Sequence, residues 1–196
     1  MAFEMIAGIL LAAGQSSRMG EPKALLPYEG LTFLDSILNR LGEIHCDPII
    51  TILGAQAEVI CQRTSVNDYQ CFLNPHPEFG MVSSLKLAID RLPSETEGFI
   101  LTLVDHPLVK LQTYQAIIQI AVKNTDQIII PEYYGQKGHP VYFGRKYFGM
   151  LLDAPQDEGA RAIVQQFIKE VNFVKVEDEG IIADIDTPDE YARYVH

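Results

Sequence analysis

Short apolar runs alternate with helical patterns along most of this chain, and that alternation limits its possible folds more than any other feature. "MIAGILLAA" (residues 5–13) reads as a buried strand. "TFLDSILNRLGEI" then puts Phe33, Leu34, Ile37, Leu38 and Leu41 on one helical face, with Thr32 as a plausible cap. "PIITIL" is strand, "AQAEVICQR" a short helix and "YQCFLN" strand again. "VSSLKLAIDRL" (82–92) is helix, "GFILTLV" strand, "LQTYQAIIQIAV" helix and "DQIIIP" strand. Strands this uniformly apolar are buried on both faces, and strand–helix–strand units make parallel pairs. The predicted class is α/β, a Rossmann-like three-layer αβα sandwich on a mostly parallel, mixed sheet. The later part is less regular: "HPVYFG" strand, "EGARAIVQQFIKE" helix, "VNFVKVE" strand, "PDEYARYV" helix. No repeat, low-complexity tract or linker divides the chain, so one domain over 1–196 is expected, a length that suits a full core.

In such a sheet, ligands gather beyond the carboxyl ends of the strands. Three polar features fall there: the loop Ala12–Gly20 after the first strand, Asn74 after "YQCFLN", and Asp105 after "GFILTLV". The loop "AAGQSSRMG" has small side chains that let backbone N–H groups approach an anion. Arg18 can add a forked contact to phosphate oxygens and Lys23 a point charge. The spacing fits neither the Walker A loop nor G-x-G-x-x-G, because Gly14 and Gly20 are six apart and Lys23 follows three later. An ordinary strand-to-helix turn carrying a surface Arg and Lys has the same composition.

Composition narrows the ligand. A net charge of −11 argues against a nucleic-acid or anionic-membrane surface, yet a small anion needs only a few well-placed cations. Cys46, Cys61 and Cys71 lack metal or redox spacing and read as reduced thiols of a cytoplasmic protein. "MAFEMIAGILLAAG" has no basic leader and only a short apolar run, so it reads as a strand, not a signal peptide or membrane span.

The motifs also carry a resemblance. "LAAGQSSRMGEPK" (11–23) resembles L-A-[AG]-G-x-S-x-R-M-G-x-x-K of the MobA-like nucleotidyltransferases, and within them the molybdenum cofactor cytidylyltransferases. "NPHPEFGMVSSLKLAI", "LTLVDHP", "KGHPVYF", "DEGAR" and "DIDTPDEY" resemble further family segments in the same order. The resemblance implies a fold of the nucleotide-diphospho-sugar transferase type. It also implies transfer of a nucleotidyl group onto a phosphate, with pyrophosphate leaving and Mg²⁺ as cofactor. Arg18, Lys23 and Asp105 would be the catalytic groups. Leu11, Ala12, Ala13, Gly14, Ser16, Arg18, Lys23, Asn74, Gly80, Ser83 and Ser84 would hold the nucleotide, and His139 and Arg161 would lie toward the acceptor. Asp105 and Asp186 would bind the metal. The second Ala of "LAAG", Ala13, resembles users of CTP, while Gly there is typical of guanylyltransferases.

Other readings stand beside each of these. Asp105 could cap the next helix, Asp184–Asp186 could be a solvated turn, and Ser83 or Ser84 could be an N-cap. His139 could be structural, and Arg161 could pair with acids near Asp157. His106 stands where the family more often has Gln or Met, and it reads as facing solvent or touching phosphate. His45, His76 and His196 show no ligand spacing and read as surface. The acceptor is a pterin phosphate on this resemblance, with a sugar or polyol phosphate as the alternative. A molybdoenzyme receiving the product is a possible partner. A non-catalytic nucleotide-binding or delivery module is the reading from another class.

Overall fold

The computed structural model describes residues 5–14, 16 and 18–195. His196 therefore lies outside the described residues, as do Gln15 and Ser17 of the loop. The chain runs β1 (Ile6–Ala12), a short hairpin β2 (Pro27–Tyr28) and β3 (Leu31–Thr32), α1 (Phe33–Glu43), β4 (Ile49–Leu53), α2 (Ala57–Arg63) and β5 (Gln70–Leu73). It continues with α3 (Gly80–Ile89), β6 (Gly98–Leu103), α4 (Leu111–Ala121), β7 (Ile128–Tyr133), β8 (Gln136–Lys137) and β9 (Val141–Gly144). The last elements are α5 (Phe148–Asp153), α6 (Ala160–Gln166), β10 (Val171–Lys175) and α7 (Pro188–Tyr194).

The main sheet has the order β10-β7-β9-β6-β1-β4-β5, with β8 paired to β7. β1 pairs in parallel with both β4 and β6, β4 with β5, and β10 with β7. β9 is antiparallel to both its neighbours, β6 and β7, which makes the sheet mixed as expected.

Strand alternation sorts the core into two layers. From β1, Ile6 and Leu10 pack with the apolar faces of α1 and α4, including Phe33, Leu38, Tyr114 and Ile117. Ala7, Ile9 and Leu11 point the other way, toward Leu85 and Ala88 of α3, Leu151 of α5 and Ile163 of α6. Such period-two alternation on a strand covered on both sides explains why β1 is apolar at every position.

Three helices differ from the sequence expectation: α5 is absent from it, and α3 and α6 have other bounds. α3 starts at Gly80, two residues before Val82, and its N-cap Phe79 makes no side-chain cap bond. Neither Ser83 nor Ser84 is thus an N-cap; both sit inside the first turns. α6 stops at Gln166 and not near Glu170. Residues 167–170 tighten into i→i−3 bonds, such as Glu170 N to Phe167 O at 2.8 Å, because the chain must enter β10 in register with Ile128.

Candidate functional site

The carboxyl ends of β1 and β6 are adjacent, since Leu11 pairs with Leu103. The loop after β1 and the residues after β6 therefore face a common space. A cavity of about 360 Å³ opens there. Leu11, Ala12, Ala13, Gly14, Ser16, Arg18 and Lys23 line it from the loop, Gly80 and Ser84 from α3, and Asp105 and Asp186 from the far side. Gln56, Pro77 and Met81 also line it, the last two within the "NPHPEFGMVSSLKLAI" segment, and none of the three is among the expected site residues.

The loop is held by its own chemistry. Ser16 takes a positive φ of 51°, and its Oγ accepts from Lys23 N at 3.0 Å. Lys23 opens a turn of 3-10 helix whose next residues, Ala24, Leu25 and Leu26, are buried. That apolar anchor fixes the base of a flexible cationic side chain. Gly54 backs the loop from the neighbouring strand: a Cβ there would lie 2.5 Å from the Ala13 carbonyl oxygen, so only glycine permits the approach.

The charged groups form one network. Lys23 Nζ donates to Asp186 Oδ1 and lies 3.6 Å from Asp105 Oδ2. Arg18 Nη2 donates to Asp186 Oδ2 at 2.9 Å. The Lys23 hydrogen bond, more than Arg18, holds the Asp186 carboxyl below the usual range. Asp184 moves the other way, raised first by burial and then by the charges of Asp105 and Asp186. Ile185 N donates to Asp105 O at 2.9 Å and ties this acidic turn to the end of β6. Asp186 N and Thr187 N both donate to Glu190 Oε2 at 2.8 Å, which fixes the turn on α7.

His106 is buried, not solvent-facing, because the turn after β6 folds it inward with His106 N bonded to Leu103 O. Its Nε2 lies 3.9 Å from Asp105 Oδ1, and its ring packs on His139 with centroids 5.1 Å apart. One donor atom each from Asp105, His106 and Asp184 lie within 4.8 Å of one another. Asp186, expected from sequence as the second metal ligand, is joined to the two cations in this structure. Asp105 Oδ1 and His106 Nδ1 are buried without hydrogen-bond partners. That orphaned donor set fits a cation.

Four expected residues stand back from the cavity wall. Asn74 is buried and donates through Nδ2 to Ser83 Oγ at 2.8 Å and Ser84 Oγ at 2.9 Å. Its Oδ1 accepts from His76 N, so Asn74 and Ser83 clamp the 74–80 loop against α3. His139 lies behind His106, where burial, with help from His106, pushes its pKa down to about 3 and keeps it neutral. Arg161 is exposed at the start of α6, and among the described residues it makes no ion pair. His45 and His76 are exposed, as expected.

The model of the MobA-like NTP transferase domain matches residues 8–171 of this chain. The chain belongs to the MobA-like NTP transferase family. It is thereby an enzyme of the nucleotidyltransferase class. Among similar proteins is the molybdenum cofactor cytidylyltransferase of Escherichia coli, 31% identical over 93% of this chain and 92% of that one. Nicotine blue oxidoreductase of Paenarthrobacter nicotinovorans is 29% identical over 96% of this chain and 95% of its own. Of solved structures, Rv0371c of Mycobacterium tuberculosis H37Rv superposes with a TM-score of 0.86 at 30% identity, covering 98% of both chains. That protein has also been solved as a complex with manganese. This MobA-like transferase thus shares its fold with relatives whose names span two kinds of chemistry, which leaves the substrate to be argued from the site. No helix among its described residues is long and apolar enough to cross a membrane.

Proposed function

We propose that this cytoplasmic enzyme transfers a cytidylyl group from CTP to the phosphate of a pterin cofactor of the molybdopterin type, releasing pyrophosphate. The observation that carries the reading is Arg18 and Lys23 facing Asp105 across a cavity at the ends of β1 and β6. The first-loop amides and the two cations suit a triphosphate. The attacking group is an acceptor phosphate oxygen, already anionic, so no side chain need remove a proton. The chain's task is alignment and neutralisation of charge as the α-phosphate is attacked. Lys23 and Arg18, paired with Asp186 in the free protein, exchange that carboxylate for phosphate oxygens when nucleotide enters. A divalent ion held at Asp105, Mg²⁺ in the first instance, would add Lewis-acid neutralisation of the triphosphate. Ala13 on the cavity wall supports the choice of CTP, as does the cytidylyltransferase relative.

Pyrophosphate release from CTP, GTP, ATP and UTP, with and without molybdopterin, tests this. CTP with molybdopterin is expected to give the fastest release. Release that needs a sugar or polyol phosphate would replace the acceptor. Nucleotide binding without release under any acceptor would leave a binding module and sink the transfer reading.

A further inference from the structure

We propose that Tyr134, held by Tyr133 at the tip of the β7–β8 hairpin, is the platform on which the flat ring of the pterin acceptor stacks. The inference rests on the pterin reading above. It adds the residue that tells a pterin phosphate from a sugar or polyol phosphate. Tyr133 pairs with Gln136, so Tyr134 and Gly135 form a two-residue hairpin turn. Both are left-handed, at φ 45° and 83°. Such turns favour Asn, Asp or Gly at the first central position and Gly at the second. A tyrosine at the first position is strained. Its side chain is 82% exposed, so burial does not offset the strain. Its ring meets Tyr133 edge-on, with centroids 4.7 Å apart and planes at 74°, and most of its surface stays open. A strained residue that packs so little of itself points to a function.

The hairpin also stands at the cavity end of the sheet. β6 and β7 are both antiparallel to β9, so they run the same way. Ile100 and Ile129 both pair with Tyr142. Counting four residues on from each puts Tyr133 level with Val104, and the turn that follows level with Asp105. Only β9 lies between β6 and β7, and neighbouring strands are about 4.8 Å apart, so about 10 Å separates the two strand ends. That gap suits an acceptor whose phosphate enters the cavity beside Asp105 while its ring reaches the hairpin. The neighbouring charges agree. Burial, then Tyr134, Glu179 and Glu177, raise the pKa of the Tyr133 hydroxyl. Carboxylates thus lie near the pair, and a pterin offers them the N–H donors of its ring edge. A second phosphate would be repelled there.

The test titrates the full-length protein with 6-hydroxymethylpterin monophosphate and follows the fluorescence of the pterin itself. Wild type is expected to quench it saturably, as stacked rings do. Tyr134→Gly removes the ring and the strain together. Its Tm should be no lower than wild type, yet it should bind the probe about tenfold more weakly, the scale for one lost stacking contact. Tyr134→Phe keeps the ring and should restore binding. Glycerol phosphate, which has the phosphate and no ring, should bind wild type and Tyr134→Gly equally in calorimetry. No saturable quenching, an unchanged pterin affinity in Tyr134→Gly, or an equal loss of glycerol phosphate would overturn the proposal. In the transfer assay, Tyr134→Gly should raise the KM for molybdopterin and leave that for CTP. Pyrophosphate release with molybdopterin at a wild-type acceptor KM in Tyr134→Gly sinks only the platform. Quenching that depends on Tyr134, without release from any nucleotide, sinks only the transfer reading.

Discussion

Asp105 stands between Lys23 Nζ, at 3.6 Å, and the buried His106, so its carboxylate touches both halves of the site. Asp105→Ala is expected to lower nucleotidyl transfer by roughly 10²–10³-fold, the scale for removing one preorganised electrostatic group. Lys23→Ala should weaken triphosphate handling in the same assay. Near wild-type rates in Asp105→Ala would remove it from the mechanism. The thiols give a second residue-scale expectation. Burial pushes Cys46 up to about 12, and burial with the neighbouring Cys61 pushes Cys71 up to about 11. A raised thiol pKa means less thiolate at a given pH, and thiolate is the reactive form. At pH 8, alkylation of Cys46 and Cys71 should be much slower in the native protein than in urea, with Cys71 speeding up as pH approaches 11. Peptide mass spectrometry reads this, and equal native and unfolded rates would contradict it. Arg18, Lys23 and Asp105 were legible because each followed a readable strand or motif. The burial of His106 was not legible, because it depends on how the turn after β6 folds against His139, which no local pattern encodes.

At the scale of elements, local capping was readable and distant capping was not. Thr32 Oγ accepts from Asp35 N at 3.0 Å, as the pattern before α1 suggests. Thr187 and Glu190 form a capping box at α7. α4 has no side-chain cap of its own at Lys110. Asp178, buried at 2% exposure, accepts from Lys110 N at 2.8 Å and Thr113 Oγ at 2.6 Å, and from Gly180 N at 3.0 Å. The acidic stretch around it thus contains the cap of a helix 68 residues earlier. Asp178→Ala leaves buried donors unpaired and should cost about 2–3 kcal/mol, measured as a lower urea midpoint with unchanged m-value. A loss below about 0.5 kcal/mol would mean that water replaces the carboxylate.

For the molecule as a whole, an acidic protein brings two cationic side chains to one cavity. Arg18 and Lys23 are both on that wall in a chain of net charge −11. A nucleotide that binds only the native state stabilises it through linkage. CTP with a divalent ion at about 100 times its Kd should add about 2.7 kcal/mol. For a chain of this length that is a rise in Tm of roughly 5–10 °C. Calorimetry with each nucleotide checks it, and a Tm unmoved by every nucleotide would mean that the cavity does not hold one.

The sequence by itself determined the layers, the order of strands and helices along the chain, and the loop that lines the cavity. Those depend on periodicity and on residues close in sequence, which a single chain displays directly. Only the tertiary structure decided which carboxylates and histidines meet. Asp184 and Asp186 sit two apart, yet one lies beside Asp105 and His106 and the other pairs with Lys23 and Arg18. That division depends on where α7 docks its turn against the end of β6, through Ile185 N and Glu190. In "LAAGQSSRMGEPK" the cations are visible, but the anion they hold in the free protein lies more than 160 residues away.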